Sequence, residues 1–495
     1  MTRLTPGFVP PVAIDARRRT PIYRQLYDWF RTAILAGQLR PGQRVPSTRQ
    51  LAAELGVSRI PVLGAYDQLH AEGYLETFVG AGTCVARSIP ERAHLVGRPA
   101  TRRAEVRPTR VEGPRRVSRL AGTIFQTDQS WLGNPGAFRI SLPALDKFPV
   151  AVWARLVNRH AHRVTRAMMA YGDPMGDRAL REAIAEYVGT ARAVRCDASQ
   201  VMVTTGSQQG LLIAARVLLD PRDAVWMEDP AYPGARQALL AAAARMVPVP
   251  VDEEGLDVAR GARTARTARA VYITPSHQHP LGVTMSATRR MTLLEWASTT
   301  GAWIIEDDYD SEYRYDSRPI ASLHSMDTDG RVIYVGTFSK VLFPAIRLGY
   351  VIVPKDLVPA FAAMRDASDV FSSTLYQAAV TDFIREGHFA RHIRRMRMVY
   401  MERRQVLVDA LRAEAGSRLE VVGAAAGLHL AALVPPGVSD AAVAERAAKK
   451  GILVTPLSGC YFRPPARGGL ILGYGGTTPH EIRDGVKKLA ACLDR

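Results

Sequence analysis

From about residue 130 to the end of the chain, helical hydrophobic patterns alternate with short, almost wholly apolar segments. The clearest segments are VMVT at 201–204, AVWME at 224–228, AVYIT at 270–274, WIIEDD at 303–308 and RVIYVG at 331–336. Apolar strands that alternate with helices predict an α/β fold with a parallel sheet covered by helices. Such a sheet offers a ligand crevice at the carboxyl ends of its strands.

The N-terminal part of the chain has a different pattern. An amphipathic helix is predicted from Ile22, and two short helices follow with Ser47 and Ser58 as N-caps. The stretch 74–86 alternates like a β-hairpin. This order of elements predicts a winged helix-turn-helix domain that binds DNA. Since 495 residues are too many for one hydrophobic core, we assign residues 1–86, with a core at 21–86, to a separate domain.

Residues 87–129 are predicted to be a linker, and residues 130–495 the second domain. Between residues 87 and 119 there are ten arginines, three acidic residues and four prolines, a composition that does not favour a packed core. The formal net charge of the chain is +18, and its first 120 residues contain 20 basic and 9 acidic side chains. This excess indicates an anionic partner, for which the winged helix favours DNA.

The sequence argues against secreted, membrane and metal-binding classes of protein. The four cysteines form no CxxC pair, which favours a reducing compartment over a disulfide scaffold. No apolar h-region and no apolar run of 18 residues is present. We therefore expect a cytoplasmic protein that does not insert into a membrane, and we predict no metal site.

Two motifs at predicted strand ends carry chemistry. Lys340 in the segment TFSK follows the strand at 331–336. A lysine that is desolvated beside a buried strand has a lowered pKa, so its neutral amine can form a Schiff base with an aldehyde. Gly206, Ser207 and Gln208 begin a helix after the strand at 201–204 and offer amide and side-chain donors to an anion. Arg347 is expected to reach the same anion.

The order and spacing of these motifs resembles enzymes of fold type I, the aspartate aminotransferase fold, which use pyridoxal 5'-phosphate (PLP). The resemblance implies that Lys340 holds PLP and that Asp307 pairs with the pyridine nitrogen. It also implies contacts with the cofactor from Tyr309 at the phenolic oxygen, from Tyr232 against the ring, from His279 in the pocket, and from Thr337 and Ser339 near the phosphate. Tyr171 resembles the tyrosine that reaches the phosphate of a neighbouring subunit, so a homodimer is expected.

The two predicted domains together resemble the MocR (GabR-like) subfamily of GntR regulators. The segments that carry the resemblance include 21–59, 202–221, IIEDDYDSEYRYD at 304–316 and GTFSKVLFPAIRLGYV at 336–351. In that family the winged helix binds double-stranded operator DNA, and a PLP-dependent aminotransferase-like domain senses an effector. The resemblance and the charge pattern both assign DNA contacts to Arg44, Ser47, Arg49, Ser58 and Arg59, with Arg59 reading bases.

The sequence departs from the aminotransferase pattern at the effector end. Fold-type-I aminotransferases commonly have an arginine near the C-terminus that binds the substrate carboxylate, and Ile471 stands at that place here. Arg463 and Arg467 are the nearest substitutes, and we predict that they contact the effector. That effector is expected to be an amine, an amino acid or PLP itself.

The function predicted from the sequence is therefore a PLP-dependent transcriptional regulator. Its aminotransferase-like domain is expected to work as a sensor, and whether it completes any transamination is left open. The alternative is a genuine aminotransferase with an accessory DNA-binding domain, because Lys340 and Asp307 are both present. A third alternative is a DNA-binding protein whose C-terminal body is structural and binds no cofactor.

Overall fold

The computed structural model of the chain describes residues 12, 14–15, 20–78, 82–88, 117–125, 136–315 and 321–493. It divides into two compact units, Met1–Pro114 and Arg115–Arg495. Most of the predicted linker 87–129 lies outside the described residues. The part of it that is described contains a short helix, Arg119–Phe125, where the sequence analysis expected irregular chain.

The first unit is a winged helix-turn-helix, as predicted. It contains helices α1 (Ile22–Leu35), α2 (Thr48–Leu55) and α3 (Arg59–Ala71), and strands β1 (Leu75–Phe78) and β2 (Gly82–Val85). The two strands form an antiparallel hairpin in which Leu75 pairs with Val85. Apolar side chains of all three helices meet in one core around Phe30, Leu51 and Leu69. The hairpin and helix α3 therefore share one hydrophobic core.

The helix-turn-helix of this unit begins and ends where the sequence predicts. Ser47 is the N-cap of α2, and its side chain accepts a hydrogen bond from the Gln50 amide. Gly56 ends α2 in the left-handed conformation that glycine favours. Ser58 is the N-cap residue of α3, but its hydroxyl makes no capping hydrogen bond. Pro61 lies in the first turn of α3, where proline is tolerated.

The second unit is built on an eight-stranded sheet, which confirms the α/β prediction. Its strand order is β3-β10-β9-β8-β7-β4-β5-β6. The five consecutive strands β9, β8, β7, β4 and β5 are parallel to one another. Strand β10 runs antiparallel to both β3 and β9. The bounds of these strands are β3 (Val201–Thr204), β4 (Ala224–Asp229), β5 (Arg245–Asp252), β6 (Gly255–Leu256), β7 (Ala270–Ile273), β8 (Trp303–Asp308), β9 (Val332–Thr337) and β10 (Gly349–Ile352).

A second, four-stranded antiparallel sheet follows near the C-terminus. Its order is β11-β12-β14-β13, with β11 (Glu420–Val422), β12 (His429–Leu433), β13 (Thr455–Pro456) and β14 (Gly469–Gly473). This sheet and the helices packed on it share a core with Phe138, which is fully buried. The segment around residue 138 thereby joins the smaller sheet from a distant part of the sequence.

Helices cover the two sheets of the second unit. After Arg119–Phe125, which is α4, they are α5 (Val150–Ala161), α6 (Arg166–Met169), α7 (Arg178–Arg192), α8 (Ser207–Leu218), α9 (Pro233–Ala241), α10 (Val258–Thr264), α11 (Ala287–Thr300), α12 (Val358–Asp369), α13 (Thr374–Arg385), α14 (His388–Glu414), α15 (Asp440–Lys449) and α16 (Pro479–Ala490). Among the helices that the structure describes, none has the length and apolar character needed to cross a bilayer.

Candidate functional site

Lys340 lies three residues beyond the carboxyl end of β9, in a cavity at the edge of the large sheet. Its side chain is half-buried, and Nζ donates a hydrogen bond to the carbonyl oxygen of Ser141 at 3.1 Å. Burial lowers the pKa of the Lys340 ammonium to about 8, while the carboxylates of Asp310 and Asp307 partly oppose this shift. A large share of the amine is therefore neutral near pH 8, which is the state that attacks an aldehyde.

Asp307 is the penultimate residue of the neighbouring strand β8 and is almost fully buried, with 3% of its surface exposed. Oδ2 accepts a hydrogen bond from the hydroxyl of Tyr272 at 2.8 Å. The other oxygen, Oδ1, is buried and has no hydrogen-bond partner among the residues that the structure describes. Burial raises the pKa of this carboxyl to about 7. An unpaired buried acceptor is costly, so Oδ1 marks a place where a ligand donor fits.

Gly206 and Ser207 lie at the turn between β3 and α8, and the guanidinium of Arg347 lies beside this turn. Gly206 is the N-cap of α8 and has a φ of 106°, which side chains rarely permit. A Cβ atom at Gly206 would lie 3.3 Å from the guanidinium of Arg347. The first amides of α8, the Ser207 side chain and the guanidinium thus lie together, as a phosphate requires.

Three other residues predicted to contact the cofactor, Gln208, Thr337 and Ser339, form hydrogen bonds within the chain. The hydroxyl of Thr337 accepts a hydrogen bond from the Ser339 amide at 3.1 Å. The side-chain amide of Gln208 donates to the carbonyl oxygen of Gly234 at 2.7 Å. All three side chains line the cavity, and Gln208 also fixes the start of α9 next to it.

Tyr232, His279 and Tyr309 form an aromatic wall of the same cavity. The rings of Tyr232 and His279 meet edge to face, with centroids 5.3 Å apart. Burial lowers the pKa of His279 well below its usual value, so this imidazole is neutral. The hydroxyl of Tyr309 lies 3.0 Å from both the carbonyl oxygen and Nδ1 of His277. A planar ring could contact this wall without meeting a buried charge.

The cavity that these residues enclose has a volume of about 560 Å³, within the range that small-molecule sites occupy. Ten of the residues predicted to contact the cofactor line this cavity, together with residues from other segments of the chain. The lining residues are Arg139, Ile140, Ser141, Leu142, Ser207, Gln208, Tyr232, Gln237, His279, Asp307, Tyr309, Asp310, Thr337, Ser339, Lys340, Pro344, Ala345, Arg347, Leu428 and His429.

The residues of this cavity fit PLP. The unpartnered Oδ1 of Asp307 suits a protonated ring nitrogen, and the turn at Gly206 with Arg347 suits a phosphate. The amine of Lys340 opens on the same cavity and has a pKa near that of an activated nucleophile. Bound there, PLP would supply an aldehyde and an electron-accepting ring.

Several cavity residues were not identified from the sequence. Arg139 and Ser141 come from a segment without strand or helix pattern, and His429 begins β12. Asp310 accepts a hydrogen bond from His277 Nδ1 at 3.1 Å. One ring nitrogen each of His277 and His429 and one carboxylate oxygen of Asp310 lie within 4.8 Å of one another, and all three residues are buried. The position of Asp310 three residues after Asp307 was the available signal for this cluster.

The arginines that the sequence analysis assigned to the effector are not among the lining residues. Arg467 donates to the carbonyl oxygen of Val434 and forms an ion pair with Glu420. Arg463 lies close enough to Asp229 to influence its carboxyl electrostatically. The structure therefore does not bring Arg463 or Arg467 to the cavity, because the loop before β14 directs Arg467 toward β11.

Tyr171 lies outside the cavity of its own chain. Its side chain is 88% exposed, and its ring touches Phe371 edge to face at a centroid distance of 6.3 Å. Met169, two residues earlier, is also largely exposed. A tyrosine in such a position is available to a second copy of the chain, and its predicted contact with a partner's phosphate stays a prediction.

The predicted DNA-contacting residues gather on the helix-turn-helix and the hairpin of the first unit. The backbone of Arg44 forms an isolated antiparallel β-bridge with Cys84 of β2, and the Arg44 guanidinium lies beside Gly82. Ser47 and Arg49 are exposed at the start of α2. Ser58 and Arg59 are exposed at the start of α3, where Arg59 Nε donates to the Thr48 hydroxyl at 3.1 Å. The structure thus brings the starts of α2 and α3 side by side.

Comparisons with known proteins match both units. The family of bacterial regulatory proteins called the gntR family matches residues 22–85, and the family of class I and II aminotransferases matches residues 136–489. The chain is 39% identical to the probable rhizopine catabolism regulatory protein MocR of Rhizobium meliloti over 97% of this chain and 96% of the relative. It is 31% identical to the pyridoxine biosynthesis transcriptional regulator PdxR of Corynebacterium glutamicum, over 96% of both chains.

A solved structure is also similar to the second unit. LysN, an α-aminoadipate aminotransferase from Thermus thermophilus in complex with N-(5'-phosphopyridoxyl)-L-leucine, has a TM-score of 0.71 and 27% sequence identity. The match covers 76% of this chain and 97% of LysN. The larger unit thus has the architecture of enzymes that handle a phosphopyridoxyl group.

Proposed function

The chain belongs to the MocR subfamily of GntR-type bacterial regulators, and we propose that it controls transcription in response to an amine, an amino acid or PLP itself. It is a DNA-binding transcriptional regulator with a PLP-binding, aminotransferase-like domain. The relatives that match over nearly its whole length are named as regulators, which favours regulation over turnover as its main role.

The observation that carries the sensing proposal is the reactive cavity itself. Lys340 has a lowered pKa, and Asp307 keeps a buried oxygen to which none of the described residues donates a hydrogen bond. A scaffold that served only a structural role would not maintain these two costly features. Lys340 would hold PLP, Asp307 would keep the ring nitrogen protonated, and Ser207 with Arg347 would bind the phosphate.

An effector can regulate DNA binding only if it binds two conformations of the protein with different affinity. We propose that binding in the cavity provides this difference. The protein would act as a homodimer in the cytoplasm, with two winged helices on two operator half-sites, because one small DNA-binding unit has limited affinity. Tyr171, which is highly exposed, would complete the phosphate site of the partner subunit.

Within each winged helix, Arg44, Ser47 and Arg49 would hold phosphates, and Ser58 and Arg59 would lie at the end of α3 that enters the major groove. Arg59 would read base edges, since a guanidinium matches guanine in two hydrogen bonds. The exposure of all five residues at neighbouring helix starts and at the hairpin supports this assignment.

The test is binding of the purified protein to the DNA upstream of its own gene, measured with and without PLP and a panel of amines. We expect PLP or an amine to change the affinity for that DNA in the wild type and to have no effect in Lys340→Ala. Equal responses in the two proteins would contradict the sensor role of the cavity. Sustained turnover of an amino donor at enzymatic rates would instead favour the aminotransferase alternative.

A further inference from the structure

Two residues next to the cavity form a buried pair that the proposed cofactor contacts do not use. Nδ1 of His277 lies 3.1 Å from each carboxylate oxygen of Asp310. The two side chains are only 1% and 2% exposed. His277 follows β7 and Asp310 follows β8, and these strands are adjacent and parallel. The fold therefore brings the pair together at the edge of the sheet that carries the cavity.

The pair also contacts Tyr309. The hydroxyl of Tyr309 lies 3.0 Å from Nδ1 of His277 and 3.0 Å from the carbonyl oxygen of the same residue. Tyr309 and Asp310 line the cavity, whereas His277 is not among the lining residues. His277 therefore acts on a bound ligand through one of these two neighbours.

The chemistry of these three groups determines where their protons lie. A carboxylate only accepts hydrogen bonds, so Nδ1 of His277 carries the proton that it shares with Asp310. Because Nδ1 is protonated, it cannot accept a hydrogen bond from the hydroxyl of Tyr309. The hydroxyl oxygen therefore faces Nδ1 as an acceptor, and its hydrogen is donated in another direction.

The hydrogen of the Tyr309 hydroxyl has two places to go. In the structure the hydroxyl donates to the carbonyl oxygen of His277. Burial, together with the carboxylates of Asp310 and Asp307, raises the pKa of this hydroxyl well above its usual value, so the hydroxyl stays protonated. Rotation about the C–O bond is enough to direct the same hydrogen into the cavity that Tyr309 lines.

Gly427, just before β12, holds the pair in place. A Cβ atom at Gly427 would lie 2.1 Å from Cε1 of His277 and 2.5 Å from Oδ2 of Asp310. The carbonyl oxygen of Gly427 accepts hydrogen bonds from the hydroxyls of Tyr315 and Tyr474, each at 2.7 Å. The imidazole is thus packed against a fixed backbone segment, which keeps it turned toward Asp310.

We propose that His277 and Asp310 are positioning residues for Tyr309 and make its hydroxyl a hydrogen-bond donor to the phenolic oxygen of bound PLP. If Nδ1 carried no proton, the hydroxyl would donate to the imidazole instead, and its lone pairs would face the electron-rich oxygen of the ligand. This inference rests on the proposed function, since it concerns how the sensing cavity holds PLP.

The test compares PLP with 3-deoxypyridoxal 5'-phosphate, which lacks the phenolic oxygen. Equilibrium dialysis measures the binding of each to the full-length protein after its cofactor has been removed. His277→Gln places no donor at the position of Nδ1, so we expect it to weaken PLP binding roughly two- to tenfold, the effect typical of one hydrogen bond. Binding of the 3-deoxy analogue should stay as in the wild type.

A double-mutant cycle tests whether His277 acts through Tyr309. Tyr309→Phe alone should weaken PLP binding about as much as His277→Gln does. Adding His277→Gln to Tyr309→Phe should then cause no further loss, because the hydroxyl that His277 positions is already absent. His277→Asn should keep most of the wild-type affinity, since its amide nitrogen can lie where Nδ1 lies and donate to Asp310.

Two further variants keep this test decisive. His277→Leu also removes the donor, and it should show the same selective loss if His277→Gln does not fold. His480→Gln changes an exposed histidine at the start of α16 and should bind both cofactors as the wild type does. The thermal midpoint of each variant reports whether it is folded.

The results separate this inference from the proposed function. If the His277 variants bind PLP as the wild type does, if they weaken PLP and its 3-deoxy analogue equally, or if the losses of His277→Gln and Tyr309→Phe add, the inference is wrong while the sensor role remains. If the wild type binds no PLP, then both the inference and the PLP-dependent sensor are wrong.

Discussion

The hydroxyl of Tyr272 donates a hydrogen bond to one oxygen of Asp307, and the other oxygen of that carboxylate is buried and has no partner within the described part of the chain. The tyrosine thereby fixes the direction of the carboxylate while leaving one acceptor for a ligand. This arrangement explains why a buried acid can remain at the end of β8, since the bound cofactor would satisfy the second oxygen.

The first prediction concerns this carboxylate. Asp307→Asn keeps the shape of the side chain but cannot carry the charge that pairs with a protonated ring nitrogen. We expect the affinity for PLP, titrated by absorbance, to fall roughly 10- to 100-fold. Tyr272→Phe should have a smaller effect because it removes only the orienting hydrogen bond. Wild-type affinity in Asp307→Asn would contradict the assigned role.

The second prediction is a pH dependence of cofactor capture by Lys340. Burial lowers the pKa of its ammonium to about 8, so the proton is lost as the pH rises through 8. Only the neutral amine attacks an aldehyde, so the capture rate should rise roughly fivefold between pH 7 and pH 8 and level off near pH 9. Stopped-flow absorbance measures this rate.

Lys340→Ala is the control for that experiment, and it should show no visible band from a lysine Schiff base at any pH. A wild-type rate that keeps rising past pH 10 would indicate an ordinary, solvated lysine. Such a profile would mean that burial does not activate this amine.

The third prediction tests the phosphate turn. Gly206→Ala adds a Cβ atom 3.3 Å from the Arg347 guanidinium at a φ of 106°, so the turn or the arginine must move. We expect weaker binding of PLP but little change for pyridoxal, which lacks the phosphate. Gly301→Ala, at a φ of 72° with nothing within 4 Å of the new atom, is the control for backbone strain alone.

A fourth prediction separates two serines that begin neighbouring helices. The side chain of Ser47 caps α2, whereas the hydroxyl of Ser58 makes no capping bond at α3. Ser47→Ala should therefore lower the unfolding free energy of the winged-helix unit by about 1 kcal/mol. Ser58→Ala should leave that stability unchanged and weaken DNA binding. Chemical denaturation and a DNA-binding assay distinguish the two effects.

The fifth prediction concerns sequence recognition. Arg59→Ala should abolish specific binding to the operator and leave the absorbance of bound PLP unchanged, because the two sites belong to separate compact units. Arg24→Ala, which removes an exposed arginine of α1, should retain specific binding. Loss of both DNA binding and cofactor absorbance in Arg59→Ala would mean that the variant is misfolded.

Several of the residues that the sequence identified stand next to a strand or helix end that the neighbouring residues define. Lys340 and Asp307 follow strongly apolar segments, and Gly206 lies between a strand and a helix. Local pattern was enough to place them at one edge of a parallel sheet. The antiparallel direction of β10 could not be predicted, because its four apolar residues are compatible with either direction.

Arg139 and His429 were missed for the opposite reason. Their positions depend on contacts between segments far apart in the chain, such as the hydrogen bond from Gly473 to Phe138. The left-handed conformations of Phe138 and Ser141 have no local sequence signal, since neither residue is glycine or asparagine. The reasoning from sequence sought a substitute for the absent arginine nearby in the chain, at Arg463 and Arg467, and neither lines the cavity.

The antiparallel strand β10 has a consequence for the spacing of the elements that carry the cavity residues. Its first residue, Gly349, pairs with Thr204 on one side and Thr337 on the other, so one residue lies between the carboxyl ends of β3 and β9. A Cβ atom there would lie 2.9 Å from backbone atoms of both Gly206 and Gly336. The absence of a side chain at Gly349 therefore allows the turn at Gly206 and the end of β9 to approach each other closely.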